Sequence, residues 1–305
     1  MSKYCVTIFI VAFNLITKGV RAEKTDVNTT NWCKLKCKAM KNICCIYDTN
    51  DFGRLCEGRA QTIEYHADDR IEMVGIHNKF RYILAKGNFD YPGLNGTQAA
   101  NMHVLSYSKQ LEFSAGCWAR QCRLHRSRCR SVEDGRVGEI VCYEDHIDVD
   151  DDMLHDIGIR MLEFCLQHKV RQSSVKYTHN NIDSLVLPLT GDDVINREAV
   201  QSMWATTRYV GCTRVKFPHT KPNYMIYLQV CHYYPRGNVL KKSIFIRGEP
   251  GSKCPADGGV NMQYSALCGD IRPLEFDNWQ AKGHRNTLGV ILSLYLLYLL
   301  RYALQ

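Results

Sequence analysis

Fifteen cysteines in 305 residues constrain this chain more than any other feature. Their meaning depends on the compartment, and the N-terminus decides that. Met1-Ser-Lys3 is short and basic, Tyr4 to Ile16 is mostly apolar, and Val20-Arg21-Ala22 offers small residues for cleavage before Glu23. Residues 1–22 therefore read as a secretory signal, because an apolar run at the extreme N-terminus has no neighbouring packing partner as a buried strand. Cys5 leaves with the signal, so fourteen cysteines remain. A dense, even set in an oxidising compartment reads as a disulfide framework, whereas in the cytosol it would suggest metal or redox work. Asn28-Thr-Thr and Asn95-Gly-Thr are N-glycosylation acceptors in that same compartment.

Removing residues 1–22 takes away Lys3, Lys18 and Arg21, so the formal charge falls from +8 to +5. That modest value asks for no nucleic-acid partner. The densest basic run, Arg120 to Arg130, could meet a polyanion or a membrane surface. Its two cysteines favour a solvated, disulfide-tied loop instead. At the far end, Leu288 to Leu300 is apolar without a charge. Thirteen helical residues cover about 20 Å, short of the roughly 30 Å hydrocarbon core. The segment reads as a lipid-anchor attachment signal, or as a short span with Arg301 snorkelling to the interface.

Between the ends, Trp32 to Cys56 holds five cysteines and too little apolar matter to fold alone. A helix is expected from about Asp69, capped by its carboxylate, with Ile71, Val74, Phe80, Ile83 and Leu84 as its apolar side and Gly87 as its stop. Lys109 to Leu124 is a second, with Leu111, Ala115, Trp118 and Cys122 on one face. Asp145 to Asp156 reads as an acidic loop entering a third helix, whose face carries Leu154, Ile157, Met161 and Cys165. It lacks the glycine and terminal glutamate of a twelve-residue calcium loop, so the acids are assigned to a solvated helix N-terminus. Asn196 to Thr206 is a fourth helix, capped by Asn196. Tyr209 to Phe217 and Tyr224 to Tyr234 alternate as two strands around the turn at 218–223. Helices beside a small sheet, over about 180 residues, make one domain.

Four stretches then carry a resemblance. They are GIHNKFR (75–81), WARQC ending at Cys122, SMWATTRYVGC ending at Cys212, and YLQVCHYYPRGN around Cys231. Together they resemble the extracellular CAP family of cysteine-rich secretory, antigen 5 and pathogenesis-related proteins, and within it the insect antigen 5 branch. The likeness runs from about Trp32 to Cys268. It implies an α/β fold, an α-β-α sandwich, with a cysteine-rich N-terminal extension at 23–70, the domain proper at 71–247, a cystine-containing extension at 248–272, a polar linker at 273–287 and the apolar tail at 288–305.

The same resemblance implies pairings and a site. Cys37 would bond Cys129, Cys56 would bond Cys122, and Cys33 would close on Cys44 or Cys45. Cys212 would bridge Cys231, and Cys254 would bridge Cys268. Even counting leaves Cys142–Cys165 and one bridge from Cys117. His77 and Arg81, one helical turn apart, would hold neighbouring loops rather than catalyse. The family cleft, lined by two histidines and two acids, maps to His125, Glu139, Glu163 and position 198. The histidine of the pattern G-H-Y-T-Q is replaced there by Glu198. His125, Glu139 and Glu163 would be the ligands of a divalent metal, and one nitrogen against three carboxylates would favour a harder ion than zinc.

No Ser–His–Asp or Cys–His set stands at a recognisable spacing, and the cysteines read as disulfide-bound, so nucleophilic catalysis has little support. The expectation is a secreted or cell-surface, non-enzymatic binding protein, taking a lipid, a sterol or an extracellular protein in its cleft or an apolar groove. A salivary or venom-type effector is the alternative, and a metal-dependent hydrolase stands behind both.

Overall fold

The computed structural model describes residues 30–47, 51–56, 58–186, 193–256 and 258–274. The signal at 1–22, the acceptor Asn28 and the apolar segment 288–300 lie outside the described residues. Among the described residues, no helix is long and apolar enough to cross a membrane. Among the described residues, seven strands and six α-helices are formed. The strands are β1 (Gln61–Ile63), β2 (Ser106–Tyr107), β3 (Ser131–Val132), β4 (Gly135–Arg136), β5 (Gly138–Ile147), β6 (Tyr209–Pro218) and β7 (Tyr224–Tyr234). The helices are α1 (Ile43–Ile46), α2 (Ala67–Ala85), α3 (Lys109–Ala119), α4 (Asp151–Gln172), α5 (His179–Asp183) and α6 (Asp193–Ser202).

The main sheet runs β1-β6-β7-β5 with antiparallel pairing, and β2 adds to β6 in parallel. Strand alternation divides its side chains between two layers. Ile140, Cys142, Val210, Cys212, Met225, Tyr227, Cys231 and Tyr233 face the larger core, which α2, α4 and α6 cover. Val141, Val215, Phe217, Leu228 and Val230 face the smaller one, under α1 and α3. The result is the expected α-β-α sandwich.

Several boundaries differ from the sequence reading, each for a local reason. Asp69 does close the start of α2, but from inside the first turn. Its carboxylate accepts the His66 amide at 2.6 Å in a capping box, so the helix begins two residues before Asp69. Ile71 lies exposed rather than on the apolar side. Helix α3 is capped by Ser108 and stops at Ala119, short of Leu124, because the chain turns through a left-handed Cys122 (φ 51°). Asp145 to Ile147 extend β5, which pairs with β7 through Ile147↔Tyr224, instead of forming loop. Asn196 is no cap. It lies inside α6, fully buried, and its side-chain oxygen accepts from the Ser174 amide at 2.8 Å.

All fourteen cysteines pair. Cys33–Cys45, Cys37–Cys129, Cys56–Cys122, Cys212–Cys231 and Cys254–Cys268 are the pairs the resemblance implies, and Cys142–Cys165 is the pair from counting. Cys44 takes Cys117. Three bridges thus tie the N-terminal stretch to α3 and the loop after it. Asn42 reinforces them by donating to Ser131 O at 2.8 Å, and Trp32 stacks on Phe113. An extension that lacks a core of its own is held by covalent and aromatic contacts to the sandwich.

Candidate functional site

The sandwich places a buried polar cluster between α3 and the sheet. Glu139 on β5 and His232 on β7 are directly opposed in the strand register, and both point toward α3. There His232 Nε2 meets Glu139 Oε2 at 3.0 Å, and its Nδ1 meets Ser114 Oγ at 3.0 Å. The loop after α3 closes over Glu139. Ser127 donates to it twice, from the amide and the hydroxyl, each at 2.7 Å, and Arg130 Nη1 lies 3.4 Å from Oε1. Arg126 Nε stands 4.0 Å away. Burial alone would push the Glu139 carboxyl up. The Arg130 charge, the His232 hydrogen bond and charge, and Arg126 outweigh it and hold Glu139 well below the usual carboxylate range. Burial lowers His232, so the ring is neutral, with Nε2–H donating to the carboxylate and Nδ1 accepting the Ser114 hydroxyl.

Ser114, His232 and Glu139 have the residue types of a hydrolytic triad, and sequence reading missed them. The three stand 118 and 93 residues apart. Only the strand register could have revealed the Glu139–His232 pair. Each of the three is fully buried, and none lines either of the open clefts described below. A nucleophile sealed between helix and sheet cannot meet a substrate, so the geometry is that of a satisfied structural network.

Glu198 lies beside this cluster, on α6, and is 1% exposed. Its Oε1 accepts the Val141 amide of the edge strand β5 at 2.9 Å, and its Oε2 pairs with Lys169 of α4 at 2.7 Å. Burial raises its carboxyl, against the opposing pull of Lys169. Arg126 feels the charges of both Glu139 and Glu198, so an arginine stands between the two acids.

The sequence-mapped metal set is not assembled. His125 is exposed, with Nδ1 against the Arg126 carbonyl and its ring against Trp118. Glu163 is on the outer side of α4, paired with Lys79 of α2 at 3.1 Å. Glu139 and Glu198 are committed to cations of this chain. Among the described residues, no group of three or more histidines, cysteines or acids could hold a metal. The residues present do not fit a divalent ion at this position. The physical reason is that Arg126, Arg130 and Lys169 already supply the positive charge such an ion would bring.

The HNKFR stretch acts as the resemblance implied. Arg81 is buried and donates to five backbone carbonyls, those of His103, Ser202, Trp204, Ala205 and Thr207, at 2.8–3.4 Å. No carboxylate compensates it, and burial lowers it to about 9. His77 joins Met73 O to the Tyr233 hydroxyl, and burial lowers it to about 4. Asn78 exchanges hydrogen bonds with the Leu105 backbone. Asn78 and Arg81 pin the loops at 103–105 and 202–207, while His77 ties α2 to β7.

Among the described residues, two open clefts stand apart from this cluster. One, of about 530 Å³, lies between β1, Asp69, His155 and Arg214. The other, of about 240 Å³, lies between His103, Arg208 and Arg272. Asn95, the second glycosylation acceptor, is exposed in the loop after α2.

An α-β-α sandwich laced by seven cystines, with its central acids neutralised internally, defines a disulfide-bonded scaffold. The family model of the cysteine-rich secretory protein family, CAP, matches residues 74–233, and the chain belongs to that family. Venom allergen 5 of Rhynchium brunneum is 29% identical over 222 residues, covering 70% of this chain and 89% of the relative. Venom allergen 5.02 of Dolichovespula maculata is 26% identical over 221 residues, covering 71% and 94%. Among solved structures, Na-ASP-1 superposes with a TM-score of 0.51 at 21% identity, covering 72% of this chain. The chain spans half of that protein's length. BmVAL-1 gives 0.50 at 24%, covering 71% of this chain and 99% of that one. Both share the fold.

Proposed function

We propose that this protein is an extracellular, non-enzymatic binding protein that works through its surface and clefts rather than through a metal at its centre. The observation that supports this reading is the burial of Ser114, His232 and Glu139 behind the Ser127–Arg130 loop, together with the internal neutralisation of Glu139 and Glu198. A hydrolase needs its nucleophile exposed to substrate. A metal enzyme needs its acids free. Neither condition is met. The family's relatives in venom favour a secreted role with a protein or small-ligand partner, and the seven cystines accord with secretion. Attachment at the outer cell surface through residues 288–300 belongs to this reading, and phospholipase treatment that releases the protein from cells tests it.

The central test is an activity screen of the purified protein beside Ser114→Ala. The expected result is no turnover of ester or peptide substrates by either. Turnover by the unmodified protein that Ser114→Ala abolishes, with the fold intact by circular dichroism, would refute the non-enzymatic reading.

A further inference from the structure

The N-terminal extension carries a charge asymmetry that the family domain does not explain. Residues 30–47 contain Lys34, Lys36, Lys38 and Lys41 and no acid. All four are exposed, and among the described residues none has an ion-pair or side-chain hydrogen-bond partner. The cystine Cys37–Cys129 brings this segment against the loop after α3, with Cα atoms 5.5 Å apart. Consecutive Cα atoms are about 3.8 Å apart, so Lys36, Lys38 and the exposed Arg128 have Cα atoms within about 13 Å of one another. Lys41 lies between two further anchors on Cys129. Ile43 N donates to Cys129 O at 2.9 Å, and Cys129 Sγ is 3.6 Å from Met40 O. Lys36, Lys38 and Arg128 are thereby held near one another by a covalent tie, with Lys34 and Lys41 within four residues of Cys37, at little further ordering cost on binding.

We infer that Lys34, Lys36, Lys38, Lys41 and Arg128 form a docking surface for a sulfated extracellular polysaccharide, of the glycosaminoglycan class. Three observations choose this partner among polyanions. Lysines outnumber arginine four to one, which suits point-charge contact with sulfates over planar bidentate readout. Trp32, the aromatic of the segment nearest the lysines, is buried against Phe113, so it offers no platform for stacking nucleobases. Anionic lipid is concentrated on the cytoplasmic leaflet, whereas this chain is built for the oxidising side. Met40 and Ile46 are exposed nearby, as isolated side chains rather than an insertion surface. Glu133 and Asp134 are exposed just after Ser131, which hydrogen-bonds Cys37 and Asn42, and they oppose the same ligand.

The test is calorimetry of the full secreted chain with a heparin oligosaccharide. With about four cations engaged, counterion release predicts an affinity falling on the order of 50-fold between 50 and 200 mM salt. The combined variant K34Q/K36Q/K38Q/K41Q/R128Q should lose at least tenfold, and E133Q/D134N should gain. A second variant, K241Q/K242Q/K253Q, removes three exposed charges elsewhere and should change binding less than twofold. Equal binding by the five-site variant overturns the inference. So does an equal loss in the distant variant, which would mean net charge alone. Binding to phosphatidylserine vesicles or single-stranded DNA as tight as to heparin also overturns it, because the surface would then not select a sulfated glycan.

Discussion

Replacing Glu139 by Gln tests the reading of the central cluster as structural. The substitution keeps the side-chain shape and removes one charge that is fully buried and held by two donors from Ser127, by His232 at 3.0 Å and by Arg130 at 3.4 Å. The new amide must place its NH₂ at one oxygen position, facing either the Ser127 amide and Arg130 or the Ser127 hydroxyl and His232 Nε2. At the first position the NH₂ meets a backbone N–H that cannot turn away, at the second the hydroxyl and the imidazole tautomer must switch, and in both Arg126 and Arg130 lose their shared counter-charge. Breaking a buried pair from one side costs about 3–5 kcal/mol. In a domain of this size each kcal/mol moves Tm by about 2–4 °C, so a fall of about 6–20 °C is expected at pH 7 by calorimetric melting. The pH dependence carries a sign. The folded Glu139 carboxyl is depressed, so its stabilisation is complete above the unfolded value near 4.3 and is lost as pH falls from there through the folded value. The gap between the two proteins should therefore narrow below about pH 4. A Tm change under about 2 °C at pH 7, or a gap that stays constant down to pH 3, would refute the reasoning.

Other expectations follow from the same geometry. Arg81→Lys replaces five donors by three and should cost about 2–4 kcal/mol, with faster proteolysis in 202–207 as the local readout. His77 is buried neutral with its pKa lowered to about 4, so the unfolded state takes up a proton first as pH falls below 6.5; about 3 kcal/mol is lost by pH 4, and His77→Gln should flatten denaturant midpoints across that window. Cys37→Ser opens an effective loop of about 20 residues, because Cys44–Cys117 still ties the same segments, and should cost about 3 kcal/mol, with tryptic cuts at Lys34 to Lys41 in limited digestion. Glu198→His would leave Lys169 without its carboxylate, so calorimetry should show no zinc binding by either it or the unmodified protein; zinc bound by the variant would restore the metal mapping of that position.

The sequence by itself determined the fold class, and did so through features that are local or counted. A dense, even cysteine set implies cystines, and alternation over Tyr209 to Phe217 and Tyr224 to Tyr234 specifies a hairpin whose Cys212 and Cys231 then face each other. The four short motifs named the family on the same basis. Tertiary structure alone decided the site. Motif position located His125, Glu139, Glu163 and Glu198, but a motif carries no side-chain direction. The turn after Cys122 sends His125 outward, and the face of α4 turns Glu163 toward Lys79. In their place the register of β5 on β7 brings His232 to Glu139, and the loop disulfide Cys37–Cys129 holds the Ser127–Arg130 segment over both. Whether a carboxylate is a ligand or a structural anion depends on which cations lie within a few ångströms of it, because Coulomb energy in a dry interior falls with distance and not with sequence separation.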